Sequence, residues 1–184
     1  MKSKQITMSP LDVVVLLKII SYNSDGWLQG QLADDLYISQ SEVSKSLVRS
    51  KFAGLIDNSG KKVSKMALLE FLQYGLKYVF PEQPGALVRG IPTAHAASPL
   101  KDIIVSNDNY VWPSGKGTMR GQAITPLYPS VVDAVQKDDK LHELLALVDA
   151  IRVGRAREKE LAVKELKDRI LNNDSNADNR LLLL

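Results

Sequence analysis

The chain has no cysteine and only two histidines among its 184 residues. Without thiols there is no disulfide, no thiolate metal site and no cysteine nucleophile, a composition that suits a reducing cytoplasm. The histidines, His95 and His142, are far apart in the sequence. Neither has a second histidine four residues on, as the helical metalloprotease signature requires. Long apolar runs are missing as well. Leu11 to Ile20 is the best candidate, but it falls short of the roughly 18 apolar residues of a membrane span. It also carries Asp12 and Lys18 and has no small-residue cleavage site after it, so it does not read as a signal peptide. The expected location is the cytoplasm.

Catalytic and phosphate-loop signatures are also lacking. Ser114-Gly115-Lys116-Gly117-Thr118 has a faint likeness to a phosphate loop, but no glycine stands five residues before Gly115 and a glycine follows Lys116. It reads instead as the basic tip of a hairpin joining two strands. Asp34-Asp35 and Asp138-Asp139 are adjacent pairs, so on a helix or a strand their carboxylates point away from a common site. No nucleophile, base and oxyanion donor fall together. The chain is therefore expected not to be an enzyme and to need neither cofactor nor metal.

What is present is a well-punctuated stretch, Gln29 to Lys51, which reads as two helices and a tight turn. Ser39 and Glu42 stand in S-x-x-E spacing, in which each side chain caps a backbone N–H of the other residue. Leu32, Ala33 and Leu36 form an inward stripe on the first helix, and Val43, Leu47 and the stem of Lys51 form one on the second. Ser41, Lys45 and Arg49 follow one another on the outer side at i, i+4, i+8, and Gln40 points outward in the first turn. The segment ADDLYISQSEVSKSL resembles the helix-turn-helix of bacterial and phage regulators. Ala33 matches the small residue at the helix crossing, Ile38 the apolar turn residue, and Val43 and Leu47 the inward residues of the recognition helix. Tyr37 departs from the pattern, standing where the family has a left-handed glycine. A non-glycine residue there costs roughly 1–2 kcal/mol.

The surroundings extend the likeness. Ser9-Pro10 opens a helix to about Tyr22 that is apolar nearly all round, the mark of a helix buried centrally or covered by a second subunit. Trp27-Leu28 suggests a very short strand. After Gly54, Leu55-Ile56 and Lys61-Lys62-Val63 flank the turn Asp57-Asn58-Ser59-Gly60 as a hairpin. This order over roughly residues 9–64 resembles the MarR-like winged helix-turn-helix regulators, with a wing shorter than usual. A further helix is expected from Lys65 to about Val79, with Met66, Leu69, Leu72, Leu76 and Val79 on one side and Gly75 marking a kink or a close contact.

Five of the eight prolines fall between 81 and 113, where helical periodicity disappears. Short strands are expected at 86–89, 103–105, 110–112 and 121–124. Helices return at 131–137, 141–153 and 156–171. The expected fold is α+β, mainly α: a winged helix-turn-helix over residues 1–80, an accessory, dimerisation or partner-binding region over 81–171 made of short strands and C-terminal helices, and a polar, leucine-ended tail over 172–184 whose composition predicts disorder. Charge follows the same division. Residues 1–80 carry +3, residues 81–130 carry +1 and the remainder −1, so the positive excess lies with the segment that would meet phosphate.

The resemblance implies a sequence-specific DNA-binding regulator, most simply a repressor, acting as a homodimer on double-stranded DNA. Gln40, Ser41, Lys45 and Arg49 would face the major groove, and Ser39, Ser44, Lys61 and Lys62 would hold phosphates. The first helix and the C-terminal helices are the expected dimer surfaces. Two alternatives stay open. The chain could be an antitoxin whose second region neutralises a cognate toxin. It could also be a regulator responding to a small molecule bound near His95 and Trp112. Arg89, Lys116 and Arg120, with Tyr110 and Trp112 alongside, are either solubility charges or an aromatic and basic surface for an anionic partner.

Overall fold

The computed structural model describes residues 5–172. It is α+β and mainly α, with one small three-stranded sheet. The tail with its four leucines lies outside the described residues.

Helix α1 (Pro10–Tyr22) is the centre of the molecule, with every residue from Leu11 to Ser21 buried. A helix that is apolar all round must be surrounded, and here the same chain does it: α1 packs on α2 (Gln29–Leu36), α3 (Gln40–Phe52) and α7 (Asp139–Val153). The expectation that α1 serves as a dimer surface is thereby overturned. Its two charges enter the core only as pairs. Asp12 accepts from Arg49 Nε at 2.9 Å and Nη2 at 2.6 Å, and Lys18 Nζ reaches Asp138 at 2.7 Å and Asp35 at 3.1 Å. One cluster of buried side chains runs from Leu11 to Ile170, so the core crosses the expected boundary near residue 80.

The chain enters α2 from Trp27, which is buried but forms no strand: its indole N–H donates to the Lys61 carbonyl and Lys61 Nζ donates to the Trp27 carbonyl at 2.6 Å. After α3 the expected hairpin shrinks to a single antiparallel bridge, Ile56 to Val63. The Asp57 carboxylate accepts from the amides of Lys61 and Lys62 and from the Ser59 hydroxyl, occupying donors that a longer ladder would need. Helix α4 (Lys65–Glu70) continues through a π turn (Phe71–Gly75) into α5 (Leu76–Val79). At Gly75, which ends the π turn, a Cβ would sit 3.0 Å from the Phe71 ring, a tight approach that the ring would have to give way to. The π turn adds a residue to the helical period. Leu68, Leu69, Leu72 and Leu76 are buried; Val79, beyond the π turn, is exposed, and Met66, in the first turn of α4 before it, is exposed as well.

The three strands are β1 (Leu87–Thr93), β2 (Tyr110–Pro113) and β3 (Met119–Ala123). β2 and β3 lie end to end along β1, antiparallel to it: Gly90–Thr93 pairs with β2 and Leu87–Gly90 with β3. β1 coils so tightly that Tyr110 and Val111 of β2 meet Gln122 and Ala123 of β3 in parallel, closing a miniature barrel. The loop after β2 thus does not make the expected hairpin. Closure depends on absent side chains. A Cβ on Gly117 would fall 2.1 Å from the Gly90 backbone, and one on Gly90 2.1 Å from the Trp112 carbonyl oxygen. Residues 103–105, expected as a strand, leave a 3₁₀ turn as irregular chain.

The last third is helical: α6 (Val131–Ala134), α7 and α8 (Ala156–Leu171). α7 holds the barrel through Asp149, whose carboxylate accepts from Thr93 Oγ1 at 2.7 Å, Trp112 Nε1 at 2.6 Å and Arg152 Nη1 at 2.8 Å. Burial pushes this carboxyl upward, while Arg152 and the two neutral donors work in the other direction. No helix among the described residues is long and apolar enough to cross a membrane.

Candidate nucleic-acid interface

Helices α2 and α3 are joined through Tyr37 and Ile38. Tyr37 takes φ 54° and ψ 43°, the left-handed conformation, and its N–H bonds the Ala33 and Asp34 carbonyls. The tyrosine thus keeps the geometry expected of a glycine, and its side chain stays exposed. Ser39 and Glu42 form the expected reciprocal cap, with Ser39 N–H donating to Glu42 Oε2 at 2.8 Å and Glu42 N–H to Ser39 Oγ at 3.2 Å. Gly54, at φ 73°, turns the chain away after the far end of α3.

Val43, Ser46, Leu47 and Ser50 are buried, so α3 is seated along its whole length. Lys51, expected to lay its stem inward, is exposed. Gln40, Ser41, Ser44 and Lys45 are all exposed on the opposite side, in the first two turns. Further along, the same side becomes apolar, with Val48 and Phe52 exposed at i+3 and i+7 from Lys45. The sequence reading passed over those two.

Arg49 departs from its expected place. It lies on the flank of α3 and folds back to hold Asp12, whose side chain is fully buried. Leaving for a DNA base would strand a buried carboxylate, so Arg49 is removed from the base-reading set. A charged residue on an apolar helix needs a partner, but the sequence does not say which residue supplies it. Lys61 is likewise drawn inward, over the Trp27 ring and onto its carbonyl. Lys62 stays exposed, with a loose exposed contact to Asp25 at 3.3 Å. Ser39 is exposed, with its hydroxyl committed to the cap.

The first turn of α3 has a support that sequence reasoning missed. The Tyr128 hydroxyl, from the segment before α6, donates to Glu42 Oε1. With the Ser39 amide and hydroxyl, this bond holds the Glu42 carboxyl down to about 2. Asp57 in the turn beyond is also held to about 2, by the Ser59 hydroxyl and the amides of Lys62 and Lys61.

The middle segment is more occupied than its sequence suggests. Trp112 and Tyr110 are buried, so they provide no aromatic surface beside Arg89 and Arg120. His95, also buried, donates from Nε2 to the Asp108 carbonyl at 2.6 Å, and its Nδ1 has no hydrogen-bond partner among the described residues. His142 Nε2 donates to the Pro92 carbonyl at 2.8 Å. Lys116 bonds Asp133 at 2.8 Å. Compared with protein-family models, with curated proteins and with solved structures, the chain matches none of them.

Proposed function

We propose that this protein is a sequence-specific DNA-binding regulator of the winged helix-turn-helix kind that reads the major groove with α3. The observation that supports the reading is the division of α3. One side is fixed in the core and reciprocally capped, and the other presents Gln40, Ser41, Ser44 and Lys45, exposed and with side-chain groups that no described residue bonds. Gln can bond adenine and Lys guanine, each good pair discriminating by about 1–3 kcal/mol. Val48, next along the strip, is suited to a thymine methyl group. Exposed Lys62 would hold a phosphate, a contact that positions the protein without specifying sequence, whereas Ser39 gives both its donors to the Glu42 cap and drops out of that role. One helix covers too few base pairs for an address, so the active form is a homodimer on a palindromic site. Repression is the simplest outcome of such binding, by occlusion of the site.

Selection of bound duplexes from a random pool tests this reading. Wild type is expected to enrich a palindrome, and the Gln40→Ala, Lys45→Ala variant to lose the enrichment while retaining its melting temperature. A pool that emerges unselected, or a variant that selects the same sequence, would count against α3 as the reader. Light scattering on the complex should give two chains per duplex.

A further inference from the structure

We infer that Arg89 and Arg120 form a second anion-binding site, on the outer face of the barrel, that holds backbone phosphates of the duplex read by α3. The inference rests on the DNA-binding reading above and assigns the same duplex a contact from the other half of the chain.

The site begins with strand register. Arg89 on β1 and Arg120 on β3 are direct partners in an antiparallel pair, so their Cβ atoms are about 5 Å apart and both side chains leave the same face. Like charges placed directly opposite are destabilising, and a protein that keeps such a pair usually sets an acid beside it. Here both arginines are exposed, and neither side chain makes a hydrogen bond or an ion pair with any described residue. They border a depression of about 360 Å³ whose other walls are Leu87, Val88, Thr118 and Met119, with no carboxylate among them. Asp133, the acid that meets the neighbouring loop, is already taken by Lys116. Two unpaired planar guanidinium groups side by side are complementary to a phosphate oxygen pair.

Nucleic acid is favoured over an acidic protein by where the loop leads. The amide of Ser114 bonds the Arg89 carbonyl, and two residues on Lys116 reaches Asp133 of α6. α6 packs on α2, the helix that leads into α3. The loop thus runs from the arginine pair to α6, which lies against the first helix of the α2–α3 pair. A duplex seated on α3 would carry its backbone toward that loop.

The test uses the full chain and a random-sequence duplex of about three helical turns, titrated over a salt series. Each phosphate contact contributes about 0.9 to the slope of log affinity against log salt. Arg89→Ala with Arg120→Ala is therefore expected to lower the slope by nearly 2 and to weaken binding about tenfold at low salt. Arg89→Lys with Arg120→Lys should restore most of the slope, because the charge is kept. Selectivity for the sequence chosen by wild type should be unchanged in both. An alanine variant with the wild-type slope, alongside a Gln40, Lys45 variant that has lost selectivity, would overturn this inference and leave the α3 reading standing. Failure of wild type to bind any duplex would remove both. Binding of an Asp/Glu-rich peptide that depends on the two arginines, with duplex affinity untouched, would assign the face to a protein partner instead and overturn the phosphate role.

Discussion

Arginine is put to opposite uses in two parts of this molecule. Around α1 and α7, Arg49 and Arg152 are folded onto buried carboxylates, Asp12 and Asp149. On the barrel surface Arg89 and Arg120 face one another with no acid among the described residues to quiet them. The same division separates Lys18, buried between two aspartates, from Lys45, exposed on α3. Paired charges here set the position of helices, and the unpaired ones are what the surface has to offer a partner. A basic residue's place in the chain does not tell which group it joins. Arg49, four residues after Lys45 on the same helix, belongs to the first.

Arg49→Ala is the strongest way to break that contrast. Removing one member of a buried pair leaves the other uncompensated, a loss of about 3–5 kcal/mol, measurable as a lower urea midpoint. Replacing both members, Asp12→Leu with Arg49→Met, should recover most of it, because apolar residues of similar volume often equal a buried pair. An Arg49→Ala protein as stable as wild type and defective only in DNA binding would return Arg49 to the reading set. Gly117→Ala tests the scaffold that displays the unpaired arginines. Its Cβ would overlap the Gly90 backbone, so a loss of about 1–3 kcal/mol is expected, with phosphate binding weakened alongside. Thermal melts of wild type and variant, read with the salt slope, would show whether the two effects travel together.

The smallest expected effect is at the junction between the two parts. Tyr128→Phe removes one hydrogen bond to Glu42, worth about 1 kcal/mol. Glu42 also gives the junction an acid dependence. Its carboxyl lies below its ordinary value in the folded chain, near 2 instead of near 4.5. The stabilisation it supplies is therefore complete above about pH 4.5 and lost as pH falls through about 2. In Tyr128→Phe the depression is smaller, so the difference between variant and wild type should shrink across that window. Melts at a series of pH values check it, and a difference constant down to about pH 2 would place the Tyr128 contribution elsewhere.

Much of the helical fold could be read from the chain because its signals are local. Ser39 with Glu42, the left-handed residue between α2 and α3, and the limits Ala156–Leu171 each depend on neighbours within a few residues. What escaped depends on distance along the chain. Nothing beside Arg49 announces that its partner is Asp12. Tyr128 comes to Glu42 from across the molecule, and the parallel closure of β2 on β3 depends on how sharply β1 coils. The single bridge between Ile56 and Val63 was overestimated as a hairpin because Asp57 competes for the amides, a side-chain effect invisible to strand propensity. For the candidate site, the exposed set Gln40, Ser41, Ser44 and Lys45 was legible from helical phase alone. The withdrawal of Arg49 and Lys61 was not.

The closed sheet has a consequence for how anything could attach to this half of the protein. An open sheet offers a row of vacant amides and carbonyls, to which a peptide can add as a further strand. Here the vacant groups are interrupted: β1 changes partner at Gly90, from β3 to β2, and β2 and β3 meet each other only over Tyr110–Val111 and Gln122–Ala123. No strand therefore offers a long uniform edge, and a peptide adding to this sheet would find only two or three residues of ladder before the partner strand changes.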